Sequence, residues 1–181
     1  MACISKLASA IAYDCDSGAT GITSALIINK ADIAGFTVDG AKGYVSALTL
    51  LPGAKAYKID TVKRSTTASM SLKINEGAPN AYTHTVNLTI MEDRGTDANG
   101  NISAALSNGS FVVLAVHAGP VARPTVYGLY YGLSATSAER NSHDNGGWAT
   151  YTLETPENVI GEDNLYAGSA VYSTLFDAAV G

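Results

Sequence analysis

The three histidines are the residues best suited to acid–base chemistry, and each has an ordinary structural explanation. His84 falls on the apolar side of an alternating stretch and His117 ends an apolar run, so both are predicted to be packed in a core or at an interface. His143 stands in residues 142–145 (Ser-His-Asp-Asn), which contain triad residue types. A triad requires groups that converge in space rather than follow one another along a turn. The sequence therefore predicts no catalytic histidine.

A polar loop at residues 93–102 carries ligand types suited to calcium. When Gly100 is aligned with the turn glycine of an EF-hand loop, several central positions fit. The first ligand position is then Gly95, and the twelfth, which requires a bidentate acid, is Leu106. Because two essential ligands are missing, we predict an ordinary Asp/Asn/Gly loop and no metal site.

Four carboxylates lie close together in sequence near Pro156, namely Glu154, Glu157, Glu162 and Asp163. Paired carboxylates can act as acid and base, but their position around a proline-containing loop favours a solvated acidic face. The sequence has no phosphate-binding glycine loop and no CxxC, HExxH or GxSxG motif. We expect a protein that is not an enzyme, with no cofactor and no small-molecule substrate.

The composition favours a folded chain that associates with itself. Of 181 residues, 46% are hydrophobic and only 15% are charged, against about 25% in an ordinary soluble domain. Little charge repulsion is then available to keep neighbouring copies apart. The net charge is −5, and cations are scattered, so nucleic acid is disfavoured as a tightly bound ligand. Nucleic acid as a passing cargo remains open.

The remaining global features predict one domain over residues 1–181, made and assembled in a cytosol. Residues 1–15 do not resemble an export signal, since Lys6 interrupts the apolar stretch. No apolar run approaches the roughly 20 residues needed to cross a membrane. Cys3 and Cys15 are too few for a disulfide scaffold or a thiolate zinc site.

A long β-hairpin between residues 66 and 91 is the strongest structural prediction. Apolar and polar residues alternate over both halves, with the turn at residues 75–80. Strand side chains alternate between faces, so Leu72 should oppose Tyr82 and Ala68 should oppose Val86. The predicted polar face comprises Thr67, Ser69, Ser71, Thr83, Thr85, Asn87 and Thr89, with Lys73 near the hairpin tip. The opposite, core or interface, face includes Met70, Leu72, Tyr82, Val86 and Leu88.

The other elements are shorter, and the fold class they indicate is mainly β: an antiparallel β-sandwich or barrel with one or two flanking helices. Helical spacing predicts a helix or arm near residues 4–13 and another at 101–107, with Asn101 as N-cap. Strands are expected at 26–28, 33–38, 44–50, 111–116, 125–133 and 148–153. A hairpin-type turn is expected at 145–147, and residues 166–180 are mixed in character.

The aromatic residues admit two interpretations. Tyr127, Tyr130 and Tyr131 occur within seven residues, and Trp148 opens a predicted strand. Aromatic side chains are enriched at protein interfaces, which favours a contact with another subunit. Cross-strand packing inside one sheet accounts for them equally well.

The order of segments resembles the tail tube (major tail) proteins of tailed bacteriophages and the related tubes of contractile injection systems. The segments are the buried run 111–116, the run 127–133 (YGLYYGL), residues 144–148 (DNGGW), residues 153–157 (LETPE) and the preceding hairpin. The resemblance covers residues 66–160. It implies a β-sandwich-like subunit that closes into hexameric rings, which stack into a tube.

The expected function is thus that of a structural virion protein in a phage tail, assembled in the host cytoplasm through contacts with itself and with other tail proteins. DNA would pass through the tube without binding, and the polar hairpin face would line the lumen. The alternative is a head-decoration, connector or other surface β-module that binds a protein partner.

Overall fold

The structure of the protein, a computed structural model, describes residues 21–40, 43–59, 65–90, 97–118, 124–140 and 148–180. The predicted helix at 4–13 and the turn at 145–147 lie outside these ranges. The strands are β1 Ile22–Asn29, β2 Ile33–Asp39, β3 Tyr44–Leu50, β4 Tyr57–Ile59, β5 Thr67–Lys73, β6 Ala81–Ile90, β7 Ser110–His117, β8 Pro124–Tyr127, β9 Leu133–Arg140, β10 Ala149–Glu154 and β11 Leu165–Ala167. The helices are α1 Asp97–Asn108 and α2 Ser169–Val180.

The predicted mainly β class is confirmed. The described strands form one sheet whose main path is β2-β3-β11-β8-β7-β9-β10-β6-β5, with β1 paired to β7 and β4. The pairing is antiparallel except between β11 and β3, which run parallel. The sheet is therefore mixed rather than purely antiparallel.

Strand β7 lies at the centre, and its side chains enter two different cores. Val113 and Ala115 pack into a cluster with β6 and β10, whereas Val112 and Leu114 pack into a cluster with β3, β8, β11 and α2. Both faces of β7 are thus buried, which explains its unbroken apolar sequence. The predicted buried strand at 111–116 is confirmed. Its position between two cores fixes the orientation of the strands around it.

The long hairpin has the predicted register. Strand β5 pairs with β6 so that Leu72 opposes Tyr82 and Ala68 opposes Val86. Lys73 is the last residue of β5, next to the turn, as predicted. The register follows from the two-residue period, because a shift of one position would expose Val86 and Leu88 to water.

Two predictions for the central part of the chain were wrong. The segment 125–133 is not one strand, because a turn that contains Gly128 and Gly132, at φ +74° and +79°, separates β8 from β9. Helix α1 begins at Asp97, so Asn101 lies within the helix rather than at its N-cap. Residues 97–102 consequently have helical backbone and do not form the expected polar loop. The expected helix end before Gly109 is confirmed.

Candidate functional site

A continuous polar face extends across four neighbouring strands, β5, β6, β10 and β9. The residues predicted for the polar side of the hairpin all lie on it, since they alternate with the core-facing residues of β5 and β6. Their side chains are exposed on β5 and half-buried on β6. Strands β10 and β9 continue the face: one row runs Thr67, Asn87, Thr152, Ser137, and the next runs Ser69, Thr85, Glu154, Ser134.

Hydrogen bonds link the side chains along these rows. Asn87 Nδ2 donates to Thr67 Oγ1 at 3.2 Å, and Thr152 Oγ1 donates to Asn87 Oδ1 at 2.9 Å. In the next row, Thr85 Oγ1 donates to Glu154 Oε1 at 3.2 Å. These hydrogen bonds connect the hydroxyl, amide and carboxylate groups along each row, so they are not a set of independent side chains.

The charge on this face is acidic or neutral. In the described parts of its four strands, Glu139 and Glu154 occupy polar positions, and Lys73 is the cation at such a position. Lys73 Nζ donates to the carbonyl oxygens of Glu157 and Val159, at 2.8 and 2.6 Å. Because two backbone acceptors hold the ammonium group at the edge of the face, no cation lies in the middle of the face among the residues that the structure describes.

The opposite side of the hairpin is apolar, but only part of it is buried. Val86 and Leu88 belong to the core, and Met70 packs against it. Leu72, predicted as core or interface, is 60% exposed, and Ile74 beyond it is 76% exposed. Leu72 is therefore not a core residue. Towards the turn, residues 157–162 contact the hairpin through Lys73, Asn75 and Tyr82, but they leave Leu72 and Ile74 exposed.

The aromatic residues divide between the two interpretations. Tyr127 is buried, with its ring edge-to-face with His84 at 5.4 Å, and Tyr130 contacts Phe36 in the same manner at 5.6 Å. Both contacts favour packing within the subunit. Tyr131 is 40% exposed and remains available for an interface. Trp148 is half-buried and lines an apolar cavity near the C-terminal end of β6.

In the described part of the chain, the ionisable side chains of Glu162 and His84 are fully buried, and the sequence indicated burial only for His84. The predicted solvated position of Glu162 was wrong, because its side chain is 0% exposed. Its carboxylate accepts hydrogen bonds from the backbone N–H groups of Tyr130 and Tyr131, at 2.8 and 2.7 Å. Burial nevertheless raises the pKa of the Glu162 carboxyl. Glu162 holds the turn between β8 and β9 in place, and the sequence carries no periodic signal for this role.

His84 is packed in the interior, as predicted. Its Nδ1 accepts a hydrogen bond from the backbone N–H of Gly128 at 3.1 Å, so the neutral ring carries its proton on Nε2. Nε2 is buried without a hydrogen-bond partner. Burial lowers the pKa of His84 to about 4. His117 is half-buried, with Nε2 at 3.1 Å from the Tyr127 hydroxyl. His143 lies outside the described residues.

The four-stranded segment that carries the polar face ends in strands β5 and β9. Within the described residues, β5 pairs only with β6, and β9 beyond Ser134 pairs only with β10. Monomeric proteins usually protect such edges with charges, proline or a covering element. The exposed side chains of β5 before Lys73 are small hydroxyls and Leu72. The β5 edge therefore offers backbone groups to a further strand, whereas helix α1 lies against β9, whose unpaired part ends in Glu139 and Arg140.

An apolar cavity of about 670 Å³ lies near the C-terminal end of β6. Its walls come from β1, β4, β6, β7 and α1, with Ile27, Tyr57, Ile90 and Ile102 among the lining residues, and from Trp148, which precedes β10. Lys58 is the charged residue that lines it. Among the described residues, no group of three His, Cys, Asp or Glu side chains is arranged to hold a metal ion.

Comparison with protein-family models, with curated proteins and with solved structures gives no match. Neither helix in the described ranges is long and apolar enough to cross a membrane.

Proposed function

We propose that this chain is a structural virion protein of a tailed bacteriophage, whose copies close into hexameric rings that stack into a tail tube for DNA. The observation that carries the proposal is the four-stranded polar face, which is backed by a core and, within the described residues, ends in strands without an outer pairing partner at β5 and along β9 beyond Ser134. The number of six copies in each ring is what the resemblance of residues 66–160 to tail tube proteins implies.

Open edges favour closure between subunits. If β5 of one copy pairs with β9 of the next, every exposed edge of the four-stranded segment becomes paired, and a head-to-tail contact that closes on itself forms a ring. Six copies would contribute about 24 strands to a shared barrel. With strands about 4.8 Å apart and inclined by about 40°, the lumen between side chains is roughly 40 Å wide. Duplex DNA fits within it.

The chemistry of the polar face suits passage rather than binding. Each cationic contact to DNA releases counterions and adds affinity, which would slow a moving molecule. Hydroxyl and amide groups keep the wall hydrated, and Glu139 and Glu154 repel phosphate. Lys73, engaged by two carbonyl oxygens, lies at the end of the strand. Such a wall contacts DNA without retaining it.

Electron microscopy of the purified protein tests the proposal. We expect rings and tubes, and a reconstruction in which Thr85 and Asn87 line the channel. A monomeric mass at high concentration in every salt condition would refute assembly. Tubes with these residues on their outer surface would refute the lumen assignment. Discrete oligomers that never stack would favour the alternative, a decoration or connector module.

A further inference from the structure

An apolar tip ends the hairpin on the side of the β5–β6 turn. Leu72, Ile74 and Ile160 are 60%, 76% and 51% exposed. Ile160 lies beside the turn, where its carbonyl oxygen accepts a hydrogen bond from Asn75 Nδ2 at 2.9 Å. Large aliphatic side chains exposed around one turn are costly to leave in water. We call these three residues the apolar tip.

An apolar groove, the cavity of about 670 Å³, lies at the other end of the same hairpin. Tyr57 and Ile102 in its wall are 54% and 47% exposed. Ile90, the last residue of β6, also lines it. Its volume falls within the roughly 300–1,000 Å³ of well-formed binding pockets. The groove is therefore large enough to receive a few side chains of a partner.

The tip cannot reach the groove of its own chain. Strand β6 has ten residues between them, so they are separated by roughly 30 Å along the strand. When the apolar tip lies at one end of the hairpin and the groove lies at the other end, binding of one to the other joins copies head to tail. The charges are of opposite sign, because exposed Glu76 lies two residues beyond Ile74 in the turn, and Lys58, which also interacts within its own chain, lines the groove.

We infer that the apolar tip of one copy inserts into the apolar groove of a second copy, and that this contact joins one ring to the next. The inference rests on the proposed function, since the copies must first form rings. Strands of a closed barrel are inclined by about 35–45° to its axis, so a contact displaced along a strand reaches the adjacent ring. Six such contacts at each junction would act together.

A tip variant tests the role of the contact in stacking. In Leu72→Ser/Ile74→Ser we expect rings to persist, while the protein concentration needed for tubes rises on the order of 100-fold. Leu51→Ser is the matched control, because Leu51 is 45% exposed and belongs to neither surface. Tube growth by the tip variant at the wild-type concentration would overturn the inference. Absence of rings in the wild-type protein would instead refute the proposed function.

Cross-linking tests the contact itself. Two proteins, one with Ile74→Cys and one with Ile102→Cys, are prepared with both native cysteines replaced by serine, then mixed and oxidised. A disulfide requires Cα atoms within about 7 Å, so a cross-linked dimer on a non-reducing gel reports insertion. Leu51→Cys mixed with Ile102→Cys is the control. Cross-linking no greater than in this control would overturn the inference. A small apolar molecule that co-purifies with the protein in native mass spectrometry, and that no longer binds to the Ile102→Glu variant, would also overturn it.

Discussion

Acidification should destabilise the subunit through His84. The ring is fully buried and its pKa is lowered to about 4 from 6.5, because burial penalises the imidazolium. The unfolded chain therefore binds more protons than the folded one between about pH 6.5 and pH 4. Stability rises with pH wherever the unfolded state binds more protons, so this contribution is complete above pH 6.5 and is lost on acidification.

The size of the effect follows from the two pKa values. At pH 5 the unfolded histidine is largely protonated and the folded one is largely neutral, which gives a loss of about 2 kcal/mol relative to pH 7. For a chain of this size, the melting temperature should fall by about 4–8 °C. Glu162 acts in the opposite direction, since its raised pKa favours the folded state as pH falls.

The measurement is urea unfolding at pH 7 and pH 5, at one protein concentration because assembly affects stability. His84→Asn is the comparison, since Oδ1 can replace Nδ1 as acceptor for the Gly128 N–H without titrating. Glu162 is present in both proteins and cancels in the difference. We expect the wild type to lose about 2 kcal/mol more than the variant between the two pH values. Equal losses would refute the assignment to His84.

Three further outcomes are expected. Leu88→Asp places a charge in the core and should lower the free energy of unfolding by about 3–5 kcal/mol, whereas Thr85→Asp on the polar face should lower it by about 1 kcal/mol or less. Equal losses in urea unfolding would contradict the assignment of the two faces. Gly132→Ala should lower the free energy of unfolding by at least about 2 kcal/mol, because φ is +79° and a Cβ would overlap a neighbouring side chain. Gly53→Ala is the control: its φ is +84° but a Cβ would meet no other atom, so the loss should be only about 1 kcal/mol. Chelation should leave the melting temperature unchanged, and a decrease would restore the calcium interpretation of residues 97–101.

The hairpin is a feature that the local alternation of apolar and polar residues predicts in detail. Its register was predictable from the positions of Leu72, Tyr82, Ala68 and Val86, because a period of two residues allows one buried face and one register. The segment 125–133 was not predictable in the same way. Apolar and aromatic residues continue through it, and the break depends on the left-handed conformations of two glycines, which composition alone does not reveal.

The sequence by itself determined the mainly β class, the central strand β7, the hairpin with its polar and apolar faces, and the burial of His84, because each depends on periodicity or on an unbroken apolar run. Only the tertiary structure decided that Glu162 is buried, that the polar face continues onto β10 and β9, and that the hairpin ends in an exposed apolar tip. These features depend on which distant segments meet. A carboxylate is buried when two backbone N–H groups face it, and an apolar side chain stays exposed when the segment that contacts its strand does not cover that side chain.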